Sequence, residues 1–263
     1  MNIFLRELKS NRKALIIWSI CMFFFVLSGM GKYTAYSAGG NSEVFDKMPH
    51  TMKALLGFGS FDVTTMSGFF ALLFAYIAVT AAIHAALLGS GIIAKEERDK
   101  TTEFLMVKPV PRATIITSKL LAALINIIVI NLVTLASSIV MVGAYNKGED
   151  ISGVIVMFLL SMFIIQLIFL SLGAMLSALM KKPKASGSLA VGILMISYII
   201  SKVTDLTDSV NALNIFSPFK YFSYESILKG EGLSLGISLL SLVLAAAFSA
   251  LTYFFYLKRD LKV

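Results

Sequence analysis

Charge is scarce in this chain: only 14% of its 263 residues are Asp, Glu, Lys or Arg, against about 25% in an ordinary soluble domain. Hydrophobic residues make up 57%. One soluble core could not hide that much apolar surface, so a water-soluble fold is excluded and a bilayer is the natural solvent. Cysteine is nearly absent. The one present, Cys21, excludes an internal disulfide and has no companions at metal-ligand spacing, so it is expected to be a small buried hydrophobe. Catalytic patterns are missing too. There is no G-x-x-x-x-G-K-[ST] loop to cradle nucleotide phosphates, no H-E-x-x-H, no G-x-S-x-G and no pair of membrane aspartates. Gly57-Phe58-Gly59 is an isolated fragment. The apolar runs hold no acidic residue and no broken-helix pair, which disfavours an ion-coupled carrier.

The apolar runs themselves are what the chain does have. Six are long enough to cross a bilayer, which takes about 20 residues: 14–31, 66–94, 113–144, 151–180, 185–201 and 233–257. The expected fold is all-α: one polytopic domain over residues 1–263 with six transmembrane helices. The start, basic and then apolar, mimics a signal peptide. No small-x-small cleavage site follows it before Lys32, so it reads as a retained first span. Ile3, Phe4, Leu5 and Leu8 set against Arg6, Lys9, Arg12 and Lys13 suit an N-terminal interfacial helix. Lys119, near the start of the third span, is expected to snorkel to the interface. The polar residues inside spans, His84, Asn126, Asn131 and Gln166, read as hydrogen-bonding glue between helices. Gly173 with Ser177, and Ser188 with Gly192, would let helices approach closely.

With the N-terminus inside, 16 of the 23 Lys and Arg fall in cytoplasmic segments. This bias places both termini in the cytoplasm of a multi-pass protein of the cell membrane. It also accounts for the net charge of +8: the excess sits beside anionic headgroups, so membrane lipids are partners and nucleic acid is not needed.

The most informative inner segment is residues 95–119, KEERDKTTEFLMVKPVPRATIITSK. A dense mixed-charge run gives way to Phe104-Leu105-Met106-Val107, an apolar patch too short to span. Pro109 and Pro111 then end any helix. A short coupling helix from about Glu97 to Lys108 is expected to lie across the bundle axis. Its four consecutive apolar residues need a cover, either a partner protein or the headgroup layer. Glu96-Glu97 resembles the paired glutamates of a membrane protease family, but that family's following Arg is Thr101 here and its histidine pattern is missing.

Glu97, Thr101, Glu103, Leu105, Pro109, Arg112 and Lys119 together resemble the coupling segment of type-2 ABC transporter permeases. Their pattern runs roughly E-x-x-x-T-x-E-x-L-x-x-x-P-x-x-R, then a lysine as the third span begins. Lys100 departs from it, standing where these permeases commonly have glycine. A second run, Ser217-Pro218-Phe219-Lys220-Tyr221-Phe222, is similar to one that the family carries in an outer re-entrant or interfacial helix before the last span. Phe216, Phe219, Tyr221, Phe222 and Tyr224 would cluster at the outer interface, as a simple anchor or as a gate over an exit path.

The resemblance implies a non-enzymatic permease subunit. Two would pair, as homo- or heterodimer, above two copies of a cytoplasmic ABC ATPase. That ATPase would carry the ATP and Mg, and this chain would bind no cofactor. Phe104 and Leu105 would be the buried anchors of ATPase coupling, with Glu97, Glu103 and Arg112 as a charged rim. The uncharged spans suit export of a hydrophobic or amphipathic cargo, small or antimicrobial peptides first. A peptide-sensing or immunity subunit and a lipid or drug efflux permease share this topology.

Overall fold

A computed structural model describes residues 3–37, 49, 52, 62–101, 110–146, 148, 150–180 and 185–258, with the side chains of 208 and 209 left aside. Among them there is no strand, and six helices are long and apolar enough to cross a membrane. This is the all-α, multi-pass architecture expected of the sequence. In chain order the helices are α1 (Ile3–Met30), α2 (Tyr33–Ser37), α3 (Met66–Arg98), α4 (Arg112–Tyr145), α5 (Ser152–Leu179), α6 (Ser186–Leu206), α7 (Tyr224–Leu228) and α8 (Leu235–Lys258). Two 3-10 stretches, Asp208–Phe216 and Pro218–Lys220, lie between α6 and α7.

The residues expected to form a separate interfacial helix are the first turns of α1, which runs unbroken to Met30. At 1.5 Å per residue that helix is about 42 Å long, more than the roughly 30 Å of hydrocarbon. Its basic turns therefore extend beyond the apolar slab.

Helices α3 and α5 form the central pair; α1 packs on α4, α8 on α5 and α6 on α3. The central contact is close because both partners place glycine at it. A Cβ built on Gly89 would stand 2.0 Å from the carbonyl oxygen of Leu170, and one on Gly173 would stand 2.4 Å from that of Ala86. Neither distance is possible for a real side chain, so only glycine lets these backbones meet. Gly192 is different. A Cβ there meets nothing within 4 Å, and Ser188 is exposed, so that small pair packs no helix among the described residues.

Around the crossing, Phe70, Phe74 and Phe158 are fully buried, with ring centroids 4.6 Å apart for Phe74 and Phe158. Cys21 does not join this core. It is exposed on α1, because in a bilayer an apolar side chain can face lipid as well as protein. Helix α5 starts with a side-chain turn: the Ser152 N–H donates to the Asp150 carboxylate at 2.9 Å. That bond holds the exposed Asp150 carboxyl below its usual range.

Candidate functional site

The end of the bundle where α1 starts and α8 ends is held together by a knot of charges. Glu7 on α1 and Lys119 on α4 are wholly inaccessible, and Glu96 on α3 is 7% exposed. Lys119 Nζ donates to Glu96 Oε2 at 2.6 Å and to the carbonyl of Ile92. Arg6 lies 3.6 Å from the other Glu96 oxygen and 3.4 Å from Glu7. Lys95 closes the ring, 3.3 Å from Glu7 and hydrogen-bonded to Ser10. Three spans are thus tied where buried charges must be paired to exist at all. Lys119 does not snorkel; it points inward, because Glu96 offers a better partner than the interface.

Glu97 and Arg98, expected to open the coupling helix, are instead the last turn of α3. The helix stops by a Schellman turn. The Thr101 N–H donates to the Glu96 carbonyl at 2.8 Å and the Asp99 N–H to that of Lys95 at 2.8 Å. Such a turn needs one left-handed residue. Here it is Lys100, at φ 55°, the position where a glycine would be at ease. Thr101 is exposed. Arg112 opens α4 and donates to the carbonyl of Leu257, near the end of α8, at 3.5 Å. Glu103, Phe104, Leu105 and Pro109 lie outside the described residues. Their two flanks, Glu96–Thr101 and Arg112–Lys119, are brought together by the ion knot.

At the far end the chain doubles back after α6. Ser217 is buried and donates to the carbonyl of Ser197 at 2.9 Å. Ser197 lies nine residues before the end of α6, about 14 Å along its axis. Phe219 stacks on Phe169 at 5.6 Å and meets Tyr198 edge-on at 5.5 Å. Phe169 lies 17 residues into α5, about 26 Å from its start. Residues 208–219 therefore descend toward mid-depth, and the chain rises again to Tyr224, whose ring packs on Phe158 at 5.3 Å. Pro218, Phe219 and Phe222 are buried, so these aromatics plug the bundle. Phe216 is 67% exposed and belongs to the opposite face. Tyr221 caps the loop by donating to the Ile215 carbonyl at 2.7 Å. Asp205 binds Lys220 and, at 3.3 Å, Lys202. Burial pushes the Tyr221 and Tyr224 phenols above their ordinary range, so both rings stay neutral.

Between the two ends, Asn131 donates to Gln166, and Gln166 to the Ala81 carbonyl at 3.4 Å. That chain joins α4, α5 and α3. Asn126 bonds to its own helix, at the Ala122 carbonyl. The His84 ring packs tilted against Trp18, with centroids 4.9 Å apart.

Sequence reasoning missed the ion knot. Its signal was present: Glu7 and Glu96 are acids at the edge of apolar runs, with Lys119 just inside another, and acids so placed are buried only with partners.

No curated protein matches the chain. A family model described as ABC-2 family transporter protein does, over residues 1–261. Six apolar helices and a match spanning nearly the whole sequence agree: the chain is a multi-pass membrane protein that belongs to the ABC-2 transporter family.

Proposed function

We propose that this chain is the membrane-spanning subunit of an ATP-driven exporter, with its charge-rich end in the cytoplasm. Residues 102–109 would be gripped there by a separate ABC ATPase. Two copies of that ATPase would dock beneath a pair of permease subunits and hold the ATP and Mg. The observation that supports this reading is the ion knot. A handle transmits force only if its two ends are fixed to what must move. Here Glu96 and Lys119 join both ends of the segment to each other, and Arg6 and Lys95 join them to the first span.

Nucleotide closure would then move α1, α3 and α4 as a unit, a two-state element biased by the partner. The hairpin from Asp208 to Leu228, buried at Ser217–Phe219 and Phe222, would act at the far end as a gate. Cargo would be hydrophobic or amphipathic, small or antimicrobial peptides first, since the spans offer no fixed charge at mid-depth.

The test is Phe104→Ala combined with Leu105→Ala. It should abolish co-purification of the ATPase, or its cargo-stimulated turnover, with membrane insertion unchanged. Wild-type co-purification with full ATP-dependent cargo movement would defeat the proposal. Nucleotide-independent peptide binding without movement would point to a sensor.

A further inference from the structure

Arg6, Lys9, Ser10, Arg12 and Lys13 line a cleft of about 450 Å³ on α1. Its composition is unusual for a crevice in so apolar a chain: four cations and one hydroxyl. The nearby acids are already committed. Glu7 is buried against Arg6 and Lys95, and Glu96 against Lys119 and Arg6. Lys9, Arg12 and Lys13 are exposed and have no carboxylate partner among the described residues. Three like charges held on one short stretch of helix repel each other unless an anion sits among them.

Depth names the anion. The apolar run starts at Ala14, so Lys13 and Arg6 lie about 2 and 12 Å before it along the helix. The headgroup layer occupies roughly the first 5–8 Å beyond the hydrocarbon, so the cleft straddles the level of lipid phosphates. Leu5 is exposed, but the other apolar side chains of this segment turn toward the protein. Ile3 packs with Ile115, and Phe4 and Leu8 pack on the core that holds Ile92 and Ile116. The segment is therefore clamped to the protein, and its cations form a preset receptor rather than a floating tail.

We infer that the cleft lined by Arg6, Lys9, Ser10, Arg12 and Lys13 binds the phosphate headgroup of an anionic phospholipid. Arg6 and Ser10 belong both to this cleft and to the ion knot. A bound phosphate competes with Glu96 for Arg6, so the lipid tunes how firmly α1 holds the handle. The inference rests on the proposed function only for that coupling and for which leaflet supplies the lipid; headgroup binding itself involves no ATPase.

The test is native mass spectrometry of the delipidated full-length chain in detergent, offered phosphatidylglycerol or phosphatidylcholine. The wild type should retain phosphatidylglycerol at least about tenfold better. The triple variant Lys9→Gln, Arg12→Gln, Lys13→Gln should bind both equally. A matched triple, Lys32→Gln, Lys229→Gln, Lys258→Gln, should keep the preference, as should Lys9→Arg with Lys13→Arg. Equal loss in both Gln triples would reduce the effect to diffuse charge and overturn the site. Displacement by millimolar inorganic phosphate would assign the cleft to a free anion instead. An unchanged lipid preference in the cleft triple, with the ATPase no longer co-purifying, would assign it to an acidic protein surface.

Discussion

Lys119 carries its charge at a point with no access to solvent, and it survives there because Glu96 and a backbone carbonyl surround it. Removing one member of such a pair is costly, about 3 kcal/mol or more. Which member is removed should matter. Glu96→Gln leaves Lys119 charged and nearly alone, whereas Lys119→Met leaves Glu96 still near Arg6 and fills the space with an apolar chain. Thermal unfolding in detergent should therefore rank wild type, Lys119→Met and Glu96→Gln in falling order; the reverse order for the two variants would contradict the assigned pairing. Lys100 offers the opposite case. Its left-handed backbone costs a side-chain-bearing residue about 1 kcal/mol, so Lys100→Gly should raise the unfolding temperature. If Lys100→Gly lowers it, the Schellman turn is misassigned. Cys21 shows why some residue-level expectations fail. An apolar run says that a segment is in lipid, not which of its faces touches protein, so a cysteine within it can lie on either side.

At the scale of whole elements, the six spans were legible because length and composition decide them: about 20 apolar residues have few other fates. What they touch was less legible. The crossing of α3 and α5 depends on Gly89 and Gly173 arriving opposite each other, and only Gly173 stood out in the sequence. Gly89→Ala and Gly173→Ala should each cost about 1–3 kcal/mol by overpacking, while Gly192→Ala should be neutral, as read by melting temperature. Comparable losses at all three would mean that α6 has a tight neighbour outside this chain. The hairpin between α6 and α8 was expected at an outer surface, as anchor or gate. Aromatic residues alone cannot tell a belt from a plug; what separates them is the bond from Ser217 to Ser197 and the stack of Phe219 on Phe169. Phe219→Ala removes a buried ring and should cost about 3 kcal/mol. If it opens the proposed gate, it should also raise leak of a small amphipathic dye from vesicles. An unchanged melting temperature would show that the ring is not a plug.

For the molecule as a whole, the proposed orientation is testable with one reactive group at a time. Cys21→Ser provides the background and should change stability by no more than about 0.5 kcal/mol, since the thiol is exposed. On that background Lys229→Cys should react with an impermeant maleimide added to intact cells, and Lys9→Cys should not. The opposite pattern would invert the topology and remove the ATPase reading with it. Charge asymmetry made this expectation possible from the sequence, because lysine and arginine counts bear on orientation wherever the loops are short. The ion knot escaped the same counting, since it depends on which three helix ends become neighbours.

The contact of Trp18 with His84 joins the first span to the second, and Trp18 is the only tryptophan in the chain. Its near-ultraviolet emission therefore arises from a single indole whose neighbour is an imidazole on another helix. Sliding or tilting of α1 past α3 must change that spectrum. The protein thus carries a built-in optical check on the joint movement of α1 and α3 proposed for its transport cycle: emission that stays constant fits a single unit, and a shift would show the two helices parting, with no dye or labelled residue needed.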